Sequence, residues 1–171
     1  MFLVNRSNFD LLRASHSLSP DWLVYGDSKN EIKIEYPKTW NYRLKDNPWS
    51  SFIVFFPIGE EQSGARVAIN VESLSELITL KEYIESFEKE VSNYNEESKL
   101  IESEEVLLIH NKAHKVLYTF EREHKKIKKM AIITIKDKKA YIIHYEAEAN
   151  SFSKYESVVK AMADSLELTN P

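Results

Sequence analysis

From residue 22 onward, apolar and polar positions follow the two-residue period of strands more often than the period of helices. Trp22-Leu23-Val24-Tyr25 leads into Gly26-Asp27-Ser28-Lys29-Asn30, a cluster of turn formers. Glu31 to Tyr36 alternates strictly, with Ile32, Ile34 and Tyr36 on one face, and Pro37 ends the run because it has no amide donor. Ser51 to Ile58 is nearly all apolar, the pattern of a strand covered on both faces. Ala65 to Val71 puts Val67, Ile69 and Val71 on one face. Further strands are predicted at Glu102–Leu108, Ala113–Glu121, Ile127–Ile135 and Ala140–Ala147.

Two segments carry helical spacing instead. Thr79-Leu80-Lys81-Glu82 is a capping box, and Leu80, Tyr83, Ile84, Phe87 and Val91 form an apolar stripe behind it. That helix is expected to end near Asn93-Tyr94-Asn95. A closing helix from Ser151 or Ser153 is expected to bury Phe152, Tyr155, Val158, Val159, Met162 and Leu166.

The last hairpin has the best-defined register. A turn at Lys136-Asp137-Lys138-Lys139 pairs Ile135 with Ala140, Ile133 with Ile142, and Lys129 with Glu146. Ile132, Met130, Ile143 and Tyr145 then share one face, and Ile133, Ala131, Ile142 and His144 the other. Both faces are apolar near the middle, so both call for cover. With two helices available, the cover is one on each side, or one helped by the first residues of the chain. The fold class is α+β, an αβα sandwich around an antiparallel sheet of about six or more strands. Residues 1–21, Ser- and Asn-rich with an apolar cluster at Phe9, Leu11 and Leu12, read as a loosely ordered arm or linker. Residues 22–171 read as a single domain, a size that buries about 70% of the unfolded surface.

Charge and composition narrow the chemistry. A net charge of −4 argues against non-specific nucleic-acid binding. The absence of cysteine removes disulfides, thiolate metal sites and cysteine nucleophiles. The chain has no GxSxG, Walker A or HExxH motif, and three glycines cannot build a phosphate cradle from backbone amides, so no catalytic residue and no enzyme activity is expected. Adjacent pairs such as Glu96-Glu97 and Glu104-Glu105 point to opposite faces of a strand and make no acid/base dyad. No EF-hand spacing is present for calcium.

Four of the five histidines, His110, His114, His124 and His144, lie in the second half. A two-residue turn at Glu123-His124 places His114 and His144 on one face about 12 Å apart, too far to share zinc. No metal or cofactor is expected. Trp22, Trp40 and Trp49 with Tyr118, Tyr141 and Tyr145 read as core packing, with an aromatic ligand pocket as the alternative.

The strongest charge feature is basic. Arg122, Lys125, Lys126, Lys128 and Lys129 surround Glu123 at one hairpin end, while Glu82–Glu105 holds nine glutamates against Lys89 and Lys99. Such polarity steers acidic surfaces or anionic headgroups toward the hairpin. The plainer reading is that lysines blunt an exposed sheet edge.

Taken in order, Ile32-Lys33-Ile34-Glu35-Tyr36-Pro37 with Trp40, Thr79-Leu80-Lys81-Glu82-Tyr83, Asn111-Lys112-Ala113-His114-Lys115-Val116-Leu117-Tyr118-Thr119, Asp137-Lys138-Lys139-Ala140-Tyr141-Ile142-Ile143, and Tyr155 with Met162-Ala163-Asp164-Ser165-Leu166 resemble the PsbP family of photosystem II extrinsic proteins. The resemblance is to the divergent prokaryotic branch, whose domains occur alone or appended to larger signalling proteins. It implies the αβα sandwich, a non-enzymatic role and docking on a protein partner, with association at a membrane surface as an added feature. In that reading Tyr36, Pro37, Trp40, Ala113, His114 and Tyr118 are structural fingerprint positions. The first twenty residues show neither an organelle leader nor the family's amino-terminal segment, which speaks against a photosynthetic role. The chain as written reads as cytoplasmic and monomeric, although relatives are often extracytoplasmic. The alternative is a small-ligand or metal-ion (calcium or zinc) carrier, or an accessory domain of a larger signalling protein.

Overall fold

The structure, a computed structural model, describes residues 21–47, 50–60, 63–108 and 111–169. Residues 1–20 of the proposed arm, Trp49 and His110 lie outside the described residues.

In chain order the strands are β1 (Trp22–Asp27), β2 (Ile32–Pro37), β3 (Trp40–Asn47), β4 (Ser50–Pro57), β5 (Arg66–Ser73), β6 (Lys99–Leu108), β7 (Asn111–Arg122), β8 (Lys125–Lys136), β9 (Lys139–Glu148) and the short β10 (Glu167–Leu168). The helices are α1 (Leu80–Ser92) and α2 (Glu156–Asp164), the latter preceded by a 3₁₀ turn at Phe152–Tyr155. Seven strands form one antiparallel sheet in the order β3-β4-β5-β9-β8-β7-β6. The remaining three form a small sheet in the order β1-β2-β10.

The hairpin register follows the alternation read from the sequence. Ile133 faces Ile142, Ile135 faces Ala140 and Lys129 faces Glu146. Two-residue turns join β7 to β8 and β8 to β9, with Glu123, His124, Asp137 and Lys138 all at positive φ. That geometry matches the right-handed strand twist, so it persists without the usual Asn-Gly pair.

Each face of the large sheet has its own core. On one, Val67, Ile69, Ile143, Tyr145 and Met130 meet Ile32 and Ile34 of the small sheet, Val159 and Met162 of the closing helix, and Leu166 just beyond it. On the other, Val116, Phe120, Ala131, Ile133 and Ile142 meet Ile84 and Val91 of α1. The small sheet therefore shares the covering of the first face with α2. The capping box is formed as expected, with Thr79 N donating to Glu82 Oε2 at 2.7 Å and Glu82 N donating to Thr79 Oγ1 at 3.2 Å.

Three features lie beyond the sequence reading. Trp40–Asn47 is a strand, although its polar residues masked the Trp40, Tyr42, Leu44 alternation. The small sheet is separate from the large one because β2 pairs with β1 and β10 rather than with β3. The second face is covered over only part of its width: α1 packs on β6, β7 and β8, while toward β3, Arg43, Lys45 and Arg66 are exposed.

Candidate functional site

The uncovered part of the second face is a cleft of about 320 Å³. Its walls follow from the register. Arg43, Val54, Ala68 and His144 lie in one row across β3, β4, β5 and β9. One row along, Arg66, Glu146, Lys129 and Tyr118 face one another across β5, β9, β8 and β7. Alternation of side chains sends all of these to the same face. Lys45, Phe56, Asn70 and Arg122 also line it, with Gly64 and Ala65 at the entry to β5.

Electrostatics dominate this cleft. Five cationic side chains, Arg43, Lys45, Arg66, Arg122 and Lys129, line it, with Glu146 as the single carboxylate among the described residues. The Glu146 side chain is only 6% exposed and takes three of the five: Arg66 Nη2 at 2.6 Å, Arg122 Nη2 at 2.8 Å and Lys129 Nζ at 3.7 Å. Burial pushes this carboxyl upward, but Arg66, Arg122 and Lys129 together hold it below the usual carboxylate range. Burial pulls the Lys129 amine below its ordinary value, opposed by Glu146 and aided by repulsion from Arg66 and Arg122. Arg43 instead lies over the ring of Phe56, 5.0 Å from its centroid.

Two polar atoms in the lining, His144 Nδ1 and Asn70 Oδ1, are buried without a hydrogen-bond partner among the described residues. The His144 ring stacks on Phe87 of α1 at 6.4 Å. Burial, with the Lys129 charge adding, drives its pKa down to about 3, so the imidazole is neutral near neutrality.

The five basic positions read from the sequence do not form one patch. Arg122 and Lys129 enter the cleft. Lys125 pairs with Glu148. Lys128 projects to the opposite face and sits 4.7 Å above the Phe152 ring. Lys126 is exposed, and its carbonyl accepts from Ala149 N at 2.9 Å. The turn itself borders an acidic hollow lined by Glu96, Glu97, Glu121 and Glu123. Arg43, Lys45, Arg66 and Glu146 were missed as site residues. Only the Lys129–Glu146 pairing gave a signal, and following it across β9 to β5 would have reached Arg66.

The fingerprint positions have structural surroundings. Tyr36 packs on Phe55 at 5.0 Å, Pro37 closes β2, and Trp40 meets Tyr155 edge-on at 5.5 Å. Ala113 is buried, and Tyr118 lies edge-on to Phe87. His114 Nε2 is 2.7 Å from Ser103 Oγ, which also bonds the Glu88 carboxylate. This trio is not a nucleophilic triad, because the carboxylate holds the serine rather than orienting the imidazole. Tyr141 and Tyr145 fill one core and Tyr118 the other. Among the described residues, no group of three or more His, Asp or Glu is placed to hold a metal, and no helix is long and apolar enough to cross a membrane.

Solved structures share the architecture. Cyanobacterial PsbP (CyanoP) from Synechocystis sp. PCC 6803 superimposes with a TM-score of 0.67 at 15% identity, over 88% of this chain and 94% of that one. LpqN, involved in cell envelope biogenesis of Mycobacterium tuberculosis, gives 0.64 at 11% identity, over 97% and 99%. PA94 from Pseudomonas aeruginosa, a protein of unknown function described as a putative regulator, gives 0.59 at 11% identity, over 88% and 98%. Comparison with curated proteins finds no match. At these identities the structures speak for the fold alone. The family model described as PsbP matches residues 20–168, nearly the whole chain, and the protein therefore belongs to the PsbP family.

Proposed function

We propose that this chain is a non-enzymatic binding module that docks on an acidic segment of a protein partner through its cationic cleft and the adjoining β7–β8 hairpin. The observation carrying this reading is the cluster of five cations around Glu146 on the uncovered part of a sheet face. Glu146 is already shared among Arg66, Arg122 and Lys129, which leaves Arg43 at the exposed rim to meet a partner. A field of one sign focused in a cleft draws oppositely charged partners and fixes their orientation. Lys125 lies on the cleft face toward the hairpin end, paired with Glu148, while Lys126 alternates to the other face.

Affinity purification from the source organism tests this with wild type and an Arg43→Glu/Lys45→Glu variant. A partner held by wild type and lost by the variant, with an unchanged circular dichroism spectrum, supports the reading. An identical partner set with both proteins removes the cleft from docking. Sedimentation with phosphatidylglycerol vesicles in place of protein capture would assign the surface to a membrane instead.

A further inference from the structure

We infer that the floor of this cleft is a binding site for a small oxyanion carrying two or more negative charges, held by Arg43, Arg66 and Arg122 beside Glu146. This goes beyond protein docking, since it concerns a solute-sized group that the purified chain binds alone.

Three observations converge on it. First, the size is right: about 320 Å³ is at the lower end of small-ligand sites, too small for a folded surface to fill. Second, the charge is unbalanced in a place where imbalance is costly. Arg66 and Arg122 converge on one oxygen, Glu146 Oε1, at 2.6 and 2.8 Å, so two guanidinium groups stand side by side against one carboxylate. Arg43 is positioned on the Phe56 ring at the rim rather than by an anion. Guanidinium forks match the oxygens of phosphate and carboxylate, and their exposed faces remain available here, with Arg66 and Arg122 side chains 45% and 37% exposed.

Third, the lining contains two buried polar atoms that lack partners among the described residues, His144 Nδ1 and Asn70 Oδ1. Both groups can donate: a neutral imidazole carries its proton on either nitrogen, and an amide turned about its last torsion exchanges oxygen for NH₂. With the amide turned and the imidazole proton on Nδ1, both find their acceptor in an oxyanion.

Isothermal titration of the purified full chain with inorganic phosphate and with citrate, at low ionic strength against chloride of matched strength, tests the site. Saturable one-to-one binding is expected, with perturbed amide resonances confined to β3, β5, β9 and the end of β7 that carries Arg122. Arg43→Gln stands outside the Glu146 ion pairs and should fold normally, yet weaken binding about tenfold or more. Glu146→Gln should tighten binding by releasing Arg66 and Arg122, which a purely structural cluster would not do. Lys160→Gln, at an exposed pair with Asp164 on α2, should change nothing. Equal affinity in wild type and Arg43→Gln, or resonance shifts spread over all surface lysines, would overturn the site. A phosphorylated or acidic peptide that binds no tighter than the free anion assigns the group to a solute. Tighter peptide binding assigns it to a partner's side chain, and either result retains the oxyanion. Because no partner is present in these titrations, loss of partner capture and loss of the anion site are read separately.

Discussion

Arg66 and Glu146 are directly opposed residues of β5 and β9, and the Arg66 guanidinium lies 2.6 Å from the Glu146 carboxylate. The carboxylate is nearly buried while the arginine is half in solvent, so the two partners are unequal. Removing the carboxylate strands three cations, whereas removing Arg66 leaves Glu146 with Arg122 and Lys129. Glu146→Ala is therefore expected to cost about 2 kcal/mol, below the range for fully buried pairs because the arginines can rehydrate. Arg66→Ala should cost less than about 1 kcal/mol. Urea denaturation of both variants checks the asymmetry, and equal losses would mean that solvent already screens the carboxylate.

The neutral state of His144 sets a pH dependence. Its folded pKa of about 3 lies below its ordinary 6.5, so between those values the unfolded chain binds a proton that the native state does not. Stability contributed by this group is complete above about pH 6.5 and declines as the pH falls toward 3. Glu146, whose carboxyl is also held low, declines in the same direction as the pH falls through its folded value. Lys129, Arg66, Arg43, Lys45, Arg122 and Glu146 line the cleft beside the ring. His144→Phe, which keeps the stack on Phe87, should reduce the loss of denaturation midpoint between pH 7 and pH 4. An unaltered pH slope would show that the imidazole is protonated in the folded protein.

Helix α1 depends on its first turn. Thr79 and Glu82 satisfy each other's backbone amides, and the helix carries Ile84 and Val91 onto the second core. Thr79→Ala is expected to cost about 1 kcal/mol. The chemical denaturation midpoint should drop accordingly with the slope unchanged. No change would mean that solvent caps the helix equally well.

Alternation made the hairpins and the two-sided sheet legible, because a one-residue slip would carry Ile133 and Ile142 off the face they share with α1. The capping box was readable because its two residues are three apart. Strand β3 was harder to see: it pairs only with β4, so it needs no dense apolar run, and Trp40, Tyr42 and Leu44 alternate with polar residues. The cleft was beyond reach for a different reason. Arg43, Arg66 and Glu146 are far apart in sequence and meet only once β3-β4-β5 is laid beside β9, a pairing that local pattern does not encode. The basic run at 122–129 was conspicuous in sequence, yet strand alternation divides Lys128 from Lys129 between opposite faces.

The β8–β9 turn offers a gain in stability. Asp137 and Lys138 adopt φ of 50° and 59°, a left-handed conformation that costs side-chain-bearing residues energy and that Asn and Gly adopt more readily. The Lys138 carbonyl also accepts the Leu74 amide at 2.8 Å, so the turn must keep its backbone path to hold the β5 end in place. Asp137→Asn with Lys138→Gly preserves that path. Glycine adds entropy to the unfolded chain, which offsets part of the relief. The balance is an expected gain of about 1 kcal/mol, read as a higher urea midpoint at an unchanged slope. The same exchange at Glu123 and His124, with φ of 52° and 62°, should give a similar gain, and it leaves every cation of the cleft in place. A lower midpoint in both variants would show that the side chains, through contacts such as His124 with Glu121 at 3.8 Å, contribute more than the left-handed backbone costs.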